Sequence, residues 1–269
     1  MTDRIAVIGV GVMGETLVST LLASGVEPSR VVAVEKRAER AAELRERHGI
    51  DVAALDDAVR GADLVLLVTK PQDVPGVLEQ VGALVAPGAA VVSFAAGVRT
   101  ATIEAAVADG VEVLRVMPNT PALVGQGVFG VSPGASCGPD RVAAVQRLLE
   151  PGGTVVVVDE DDQDALTAVS GSGPAYVFYL AEAMIAGGVE AGLDPATAHR
   201  LAVATIQGSA ALLAGSDDEP AELRRRVTSP NGTTAAAIET FDSRGVRQAV
   251  AEGVRAAAAR SAQLSGPGE

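Results

Sequence analysis

Along the first 158 residues, short continuous runs of apolar, often β-branched side chains alternate with stretches whose apolar positions recur every three or four residues. The runs at 4–8, 31–34, 64–68, 90–94, 111–116, 128–131 and 154–158 have the pattern of strands covered on both faces. Between them, 15–24, 38–48, 74–85, 100–108 and 140–149 carry the spacing of amphipathic helices. Strand, helix and strand in succession predict a parallel, doubly wound sheet with right-handed crossovers, a Rossmann-like α/β domain. After Asp159 the pattern changes. Ala, Leu, Glu and Arg dominate, no strand is predicted, and helices are expected over 163–169, 175–191, 195–214, 221–226, 233–241 and 246–263. Pro195 after Asp194 suits a first helical turn, and Gly192 and Gly215 follow helical stretches. The tail 265–269 is expected to fray. The chain thus divides into a sheet domain, 1–159, and an all-helical domain, 160–269, with no flexible linker in the composition between them.

Composition adds further constraints. Apolar types make up 48% of the 269 residues but aromatics only 2%, so the core must be built from small aliphatic side chains. The alanine-rich helical half has few large side chains to close a core of its own, and packing against a second copy through these helices is expected. The net charge of −13 argues against a nucleic-acid backbone or an anionic membrane as the main partner. Cys137 is the single cysteine, which fits a reducing, cytoplasmic compartment, and His48 and His199 stand far apart, so no thiolate or imidazole metal cage is expected. The most apolar stretch, 81–98, is divided by Pro87, Gly88 and Ser93 into a helix end, a turn and a strand, which is not the pattern of a membrane span. No basic stretch precedes a cleavable apolar segment at the start, where 5–10 runs straight into a glycine motif.

That motif, Gly9-Val10-Gly11-Val12-Met13-Gly14, follows the first strand and opens the first helix. Gly9 permits a tight turn, Gly11 lets a pyrophosphate approach the backbone, and Gly14 allows close helix–strand packing, with the anion on the positive helix end. The second strand ends in Glu35-Lys36-Arg37, with Glu35 twenty-one residues after Gly14. A carboxylate there accepts hydrogen bonds from ribose hydroxyls and favours NADH, whereas Lys36 and Arg37 suit the 2′-phosphate of NADPH. The plain alternative is a solvated, charged strand end. Lys70-Pro71 and Ala95-Ala96-Gly97 leave two further strands at the carboxyl edge where open α/β sheets bind ligands. Small residues at 95–97 let a nicotinamide lie close to the backbone, while Lys70 alone is equally a surface lysine.

Three further runs stand out. Arg115-Val116-Met117-Pro118-Asn119-Thr120-Pro121 leaves another strand end, its prolines fixing a loop in which Asn119 offers both donor and acceptor. Ser170-Gly171-Ser172-Gly173-Pro174-Ala175-Tyr176 interrupts a helical stretch, which makes sense where a backbone or cofactor passes closely. Thr228-Ser229-Pro230-Asn231-Gly232-Thr233-Thr234 precedes a helix and supplies four hydroxyls where a simple cap needs one, the makings of a carboxylate cradle.

Together these runs resemble the pyrroline-5-carboxylate reductase family, and the resemblance spans essentially the whole chain. It is most specific at 117–121, 170–176 and 229–234. It implies a dinucleotide-binding domain followed by a helical domain that interlocks two subunits, with five dimers often forming a decamer. It implies a cofactor, NADPH with NADH as the alternative, against Gly9, Val10, Gly11, Val12, Met13, Gly14, Glu35, Lys36, Arg37, Val68, Thr69, Lys70, Pro71, Ala95, Ala96 and Gly97, with Asn119 counted on the same side. The substrate, 1-pyrroline-5-carboxylate, is expected to set its carboxylate on the Thr233 and Thr234 amides within the Ser229–Gly232 turn. The Thr234 hydroxyl then stands near the ring nitrogen, and Glu160 matches a position used near the substrate. Thr234 and Glu160 are the implied catalytic pair. Two departures matter. Asn231 stands where the family usually has glycine, and Asn tolerates left-handed geometry, so the loop is expected to persist. Glu35 stands where a small residue usually precedes Arg, which leaves the coenzyme open. A hydroxyisobutyrate-type dehydrogenase begins with a similar glycine motif, but its inter-domain lysine has no counterpart after Gly173. A nucleotide-sensing regulator would have no use for a second anion cradle.

Overall fold

A computed structural model describes residues 4–265. Its strands are β1 (Ile5–Ile8), β2 (Val31–Val34), β3 (Asp51–Val52), β4 (Leu64–Leu67), β5 (Ala90–Ser93), β6 (Glu112–Met117), β7 (Gly127–Pro133) and β8 (Gly153–Val157). They form one sheet in the order β3-β2-β1-β4-β5-β6-β7-β8. The first six are parallel to one another. Around them lie α1 (Val12–Ala23), α2 (Ala38–His48), α3 (Leu55–Val59), α4 (Val74–Val81), α5 (Thr100–Glu104), α6 (Pro139–Leu149) and α7 (Gln163–Leu166). A π-helical turn, Thr167–Gly171, follows α7 directly. Then come α8 (Gly173–Glu190), α9 (Pro195–Ala214), α10 (Pro220–Arg226), α11 (Thr233–Ser243) and α12 (Val246–Ser265).

Packing divides the chain into two units, one running to Ser172 and including the stretch from Ala257 onward, the other Gly173–Ala256. In the first, alternate residues of β1 serve opposite layers: Ile5 and Val7 join Leu17, Leu44 and Phe129, while Ala6 and Ile8 join Leu78 and Ile103. This is the period-two consequence of a sheet buried on both faces, and it explains why the strand runs read as unbroken hydrophobic segments. In the second unit the main packing is α8 against α9, where Asp194 caps α9 by accepting a hydrogen bond from the Thr197 amide at 3.1 Å.

The sheet is mostly parallel, as expected, with one reversal: β7 runs antiparallel to β6, with Val116 facing Val131. Only residues 118–126 join them, too few for the crossover that a parallel return requires. The two-residue β3 and five-residue α3 carried no readable periodicity. The helix expected from 15 begins at Val12, and the one expected over 100–108 ends at Glu104. The interruption expected at 170–176 is the π-helical turn and the bend at Ser172, before α8 resumes. Beyond Ser265, the expected fraying lies outside the described residues.

Candidate active site

The glycine motif builds a cleft at the carboxyl edge of β1, β2 and β4. Gly9 has φ +93°, and a Cβ there would stand 2.9 Å from the Val68 carbonyl oxygen. A side chain at Gly14 would run into the Gly9 carbonyl. Around Gly11, by contrast, a Cβ would meet nothing within 4 Å, so the backbone at the start of α1 faces open space. The first N–H groups of that helix have no intrahelical acceptors, and the positive end of its dipole points the same way. The cleft has a volume of about 730 Å³ and is lined by Gly9, Gly11, Glu35, Arg37, Thr69 and Asp73 among others. The Thr69 hydroxyl is buried without a protein partner, as suits a group waiting for a polar ligand. A dinucleotide fits this chemistry. Val10 is buried in the core, so only its main chain is available there, whereas the Val12 side chain is exposed and is not among the residues lining the cleft. Lys70 and Pro71 are exposed where the chain leaves β4.

At the end of β2, Glu35 turns onto Arg37. Its Oε1 accepts from the Arg37 amide at 2.9 Å and from Nε at 3.2 Å, and its Oε2 from Nη2 at 3.0 Å. These bonds hold the Glu35 carboxyl at about 2, well below the usual range. Lys36 is exposed beside them.

The turn after β5 is held from several sides. Ala95 is buried, its amide 3.3 Å from Ser93 Oγ, while Ala96 is exposed. Glu160 accepts from the Thr100 amide and from the Thr100 hydroxyl, both at 2.8 Å, at the start of α5. The buried Arg115 guanidinium lies 3.6 Å from the same carboxylate. Burial lowers the Arg115 pKa, and the charges of Glu160 and Asp164 oppose that shift. Arg115 sits in register between Ser93 and Ser132, one buried polar row across the sheet. The sequence alone gives Arg115 no role; its signal is a cation at an interior, buried position of β6, flanked by Leu114 and Val116.

Asn119 is committed within the protein. Its Nδ2 lies 3.1 Å from the Ser170 carbonyl oxygen and 3.3 Å from Ser170 Oγ, and its Oδ1 accepts from the Val128 amide at 2.8 Å. It therefore pins the π-helical turn to the loop before β7. Gly171 lies close under Met117 there: a Cβ would stand 2.9 Å from Met117 Cε, which would have to shift.

In the second unit, the 229–234 turn enters α11. Asn231 has φ 59°, the one non-glycine residue at positive φ among those described, and the Gly232 amide donates to the Ser229 carbonyl at 3.0 Å. The loop persists with Asn in the glycine position, as expected. Gly232 caps the helix in extended geometry without a side-chain cap bond. The amides of Thr233 and Thr234, in the first turn, have no intrahelical acceptors. Of the four hydroxyls in the run, that of Thr228 is spent on the Arg224 carbonyl at 2.7 Å. Thr233 and Ser229 are exposed and Thr234 half-buried.

Among the described residues no group of three or more His, Cys, Asp or Glu is gathered to hold a metal ion, and no helix is long and apolar enough to cross a membrane. Cys137 is half-buried, and burial pushes its thiol up to about 11.

A family model for pyrroline-5-carboxylate reductase dimerisation matches residues 160–264, and one for NADP oxidoreductases dependent on coenzyme F420 matches 4–97. The pyrroline-5-carboxylate reductase of Corynebacterium melassecola is 42% identical over 264 residues, 97% of this chain and 98% of its own. A solved pyrroline-5-carboxylate reductase from Coxiella burnetii superposes with a TM-score of 0.93 at 30% identity, over 99% of this chain and all of that one. The fold is shared as well by the Plasmodium falciparum pyrroline carboxylate reductase solved with NADP bound, at a TM-score of 0.85, 24% identity and 98% coverage of both chains.

Proposed function

This chain belongs to the pyrroline-5-carboxylate reductase family, and from that premise we propose how its own residues divide the work. It is an NAD(P)H-dependent oxidoreductase that reduces 1-pyrroline-5-carboxylate to L-proline, the last step of proline biosynthesis. The observation that carries the residue assignment is the pair of anion-ready main-chain sites, one at Gly9–Gly14 and one at Gly232–Thr234. In the first, the open backbone at Gly11 and the N–H groups opening α1 hold the pyrophosphate, and the unpartnered Thr69 hydroxyl supplies a hydrogen bond. When bound, the reduced nicotinamide supplies the hydride, and Ala95, Ala96 and Gly97 form the turn along which its ring lies. In the second, the Thr233 and Thr234 amides bind the substrate carboxylate within the Ser229–Gly232 turn.

A ketone needs an acid to protonate the alkoxide it becomes. A cyclic imine is protonated before it is reduced, so the residues around it need to orient a cation and not to deliver a proton. The Thr234 hydroxyl is assigned that orienting role at the ring nitrogen. Glu160 acts one step back: both of its oxygens are engaged by Thr100, so its charge and its grip on α5 are its contribution. Asn119 likewise supports the π-helical turn, with both ends of its amide engaged within the protein.

The coenzyme is read as NADH or NADPH with Glu35 as arbiter, because the carboxylate already neutralises Arg37 and leaves Lys36 as the free cation for a 2′-phosphate. The helices of 173–256 are assigned to a homodimer, with five dimers forming a decamer, and the helical segment 160–269 to substrate binding and dimerisation. The working compartment is the cytoplasm, where the lone, half-buried Cys137 stays reduced.

Steady-state assay of Thr234→Ala tests the assignment. Turnover is expected to fall by about one to two orders of magnitude, less than loss of a full general acid costs. Turnover equal to that of the parent would remove Thr234 from the mechanism.

A further inference from the structure

The far end of the chain grips the turn after β5. Gly97 has φ +77°, and a Cβ there would stand 2.7 Å from the Leu264 carbonyl oxygen and 3.4 Å from Ser265 Cα. The last turn of α12 therefore rests directly on main chain at Gly97. The small residue is explained by this close approach, whatever else lies against the turn. The same helical turn is anchored from below. Asp164 Oδ1 accepts from Ser261 Oγ at 2.6 Å, and the Ser265 hydroxyl lies 3.3 Å from that oxygen and 3.0 Å from the Ser261 carbonyl. Serines four residues apart share one helix face, and that face meets Asp164. The base of the anchor is rigid. Gln163, beside Asp164, is wholly buried and donates to the Gly130 carbonyl at 3.0 Å and to Ser132 Oγ at 2.8 Å.

We propose that Asp164 is a positioning residue for hydride transfer: by holding Ser261 and Ser265 it seats the end of α12 on Gly97, and so fixes the turn 95–97. The inference rests on reading that turn as the nicotinamide's neighbour. A carboxylate suits the task because a hydroxyl donates to it in a short, charge-assisted bond, stronger than one to a neutral acceptor. Neither serine nor Asp164 belongs to the carboxylate cradle, so loss of the anchor acts on the coenzyme and not on the imine.

The test is a set of full-length variants assayed with both substrates varied. Asp164→Ala is expected to raise the coenzyme KM about tenfold while the imine KM stays within about twofold. Asp164→Asn, which keeps an oxygen acceptor without the charge, recovers part of the loss. Ser261→Ala with Ser265→Ala reproduces the effect of Asp164→Ala, and the three changes together cost no more than either set. The proposal is overturned if the coenzyme KM does not move, if both KM values rise together, or if the two sets of changes add. The serine pair keeps the test decisive should Asp164→Ala fold poorly. Ala96→Leu, at the exposed position of the turn, separates the premise from the inference. If it raises the coenzyme KM and the Asp164 and serine variants do not, the anchor alone is wrong. If Ala96→Leu leaves that KM unchanged, the reading of the turn falls and the anchor's role falls with it.

Discussion

At the scale of single residues, Glu35 decides most for least. Its carboxylate is bound by the guanidinium and amide of Arg37, and those bonds hold it near 2, so it carries a full charge at any working pH. A 2′-phosphate brought to about 4 Å from that charge meets repulsion of about 1–4 kcal/mol, depending on local screening. Arg37 is more than two-thirds exposed and already paired, so it offsets little of this. Ribose hydroxyls, by contrast, meet an acceptor. Glu35→Ser removes the repulsion and frees Arg37 at once. It is expected to move the ratio of kcat/KM for NADPH over NADH upward by about tenfold or more, 1.4 kcal/mol being tenfold. Steady-state comparison of the two coenzymes checks this, and an unchanged ratio would show that the ribose end lies elsewhere.

At the scale of elements, α1 and α2 are joined by one carboxylate. Glu15, the residue after the last glycine of the motif, receives Arg40, Arg47 at 2.6 Å and His48 at 3.0 Å, all from α2. Partial burial pushes its carboxyl up, but the hydrogen bonds from His48, Arg40 and Arg47 outweigh that and bring it from 4.5 down to about 2. A depressed carboxyl adds stability that is present above its unfolded value and lost as pH falls through its folded one. The window is thus about pH 4.5 down to about 2. Glu15→Gln is expected to cost about 1–2 kcal/mol near neutrality, part exposure screening the pair. Urea unfolding of parent and variant should then converge as the pH approaches 2, and a gap that persists there would show that packing, not charge, carries the effect. This knot left only faint traces in the sequence, because its four members are separated by up to 33 residues and each alone is an ordinary charged helix position. The parallel strands were legible because burial on both faces writes itself as continuous apolar runs. The reversal at β7 was available too, in the shortness of 118–126, but periodicity does not report direction. At the site, the glycine motif and the 229–234 turn were legible because backbone geometry demands particular residues. The partners of Asn119 and Glu160 were not, since they lie 51 and 60 positions away. A polar side chain names its chemistry and not its addressee.

For the whole molecule, the two units differ in how they hide apolar surface. The first buries complete layers on either side of its sheet, from Ile5 to Phe129. In Gly173–Ala256 the buried residues are Ala198 and Ala202, while Phe178 and Tyr179 are 62% and 76% exposed on α8. Leu180, Leu201, Leu212 and Phe241 are exposed as well. These exposed apolar side chains all lie within the stretch 160–264 that matches the dimerisation model, and clustered exposed apolar residues mark interaction surfaces. A stable pair of subunits buries about 1,600 Å² in all, with a few aromatic anchors supplying most of the affinity. Phe178 is the natural anchor, being large, in the second turn of an 18-residue helix, and without a core of its own. Phe178→Asp places a charge where the partner's apolar face must close, and it should weaken the dimer about a hundredfold, roughly 2.7 kcal/mol. Sedimentation equilibrium checks both halves of this: the parent should stay at dimer mass or above at micromolar concentration, and the variant should dissociate over the same range with its circular dichroism unchanged. A parent at monomer mass would mean that these helices are not covered by a second copy. A variant that stays assembled would move the contact away from α8.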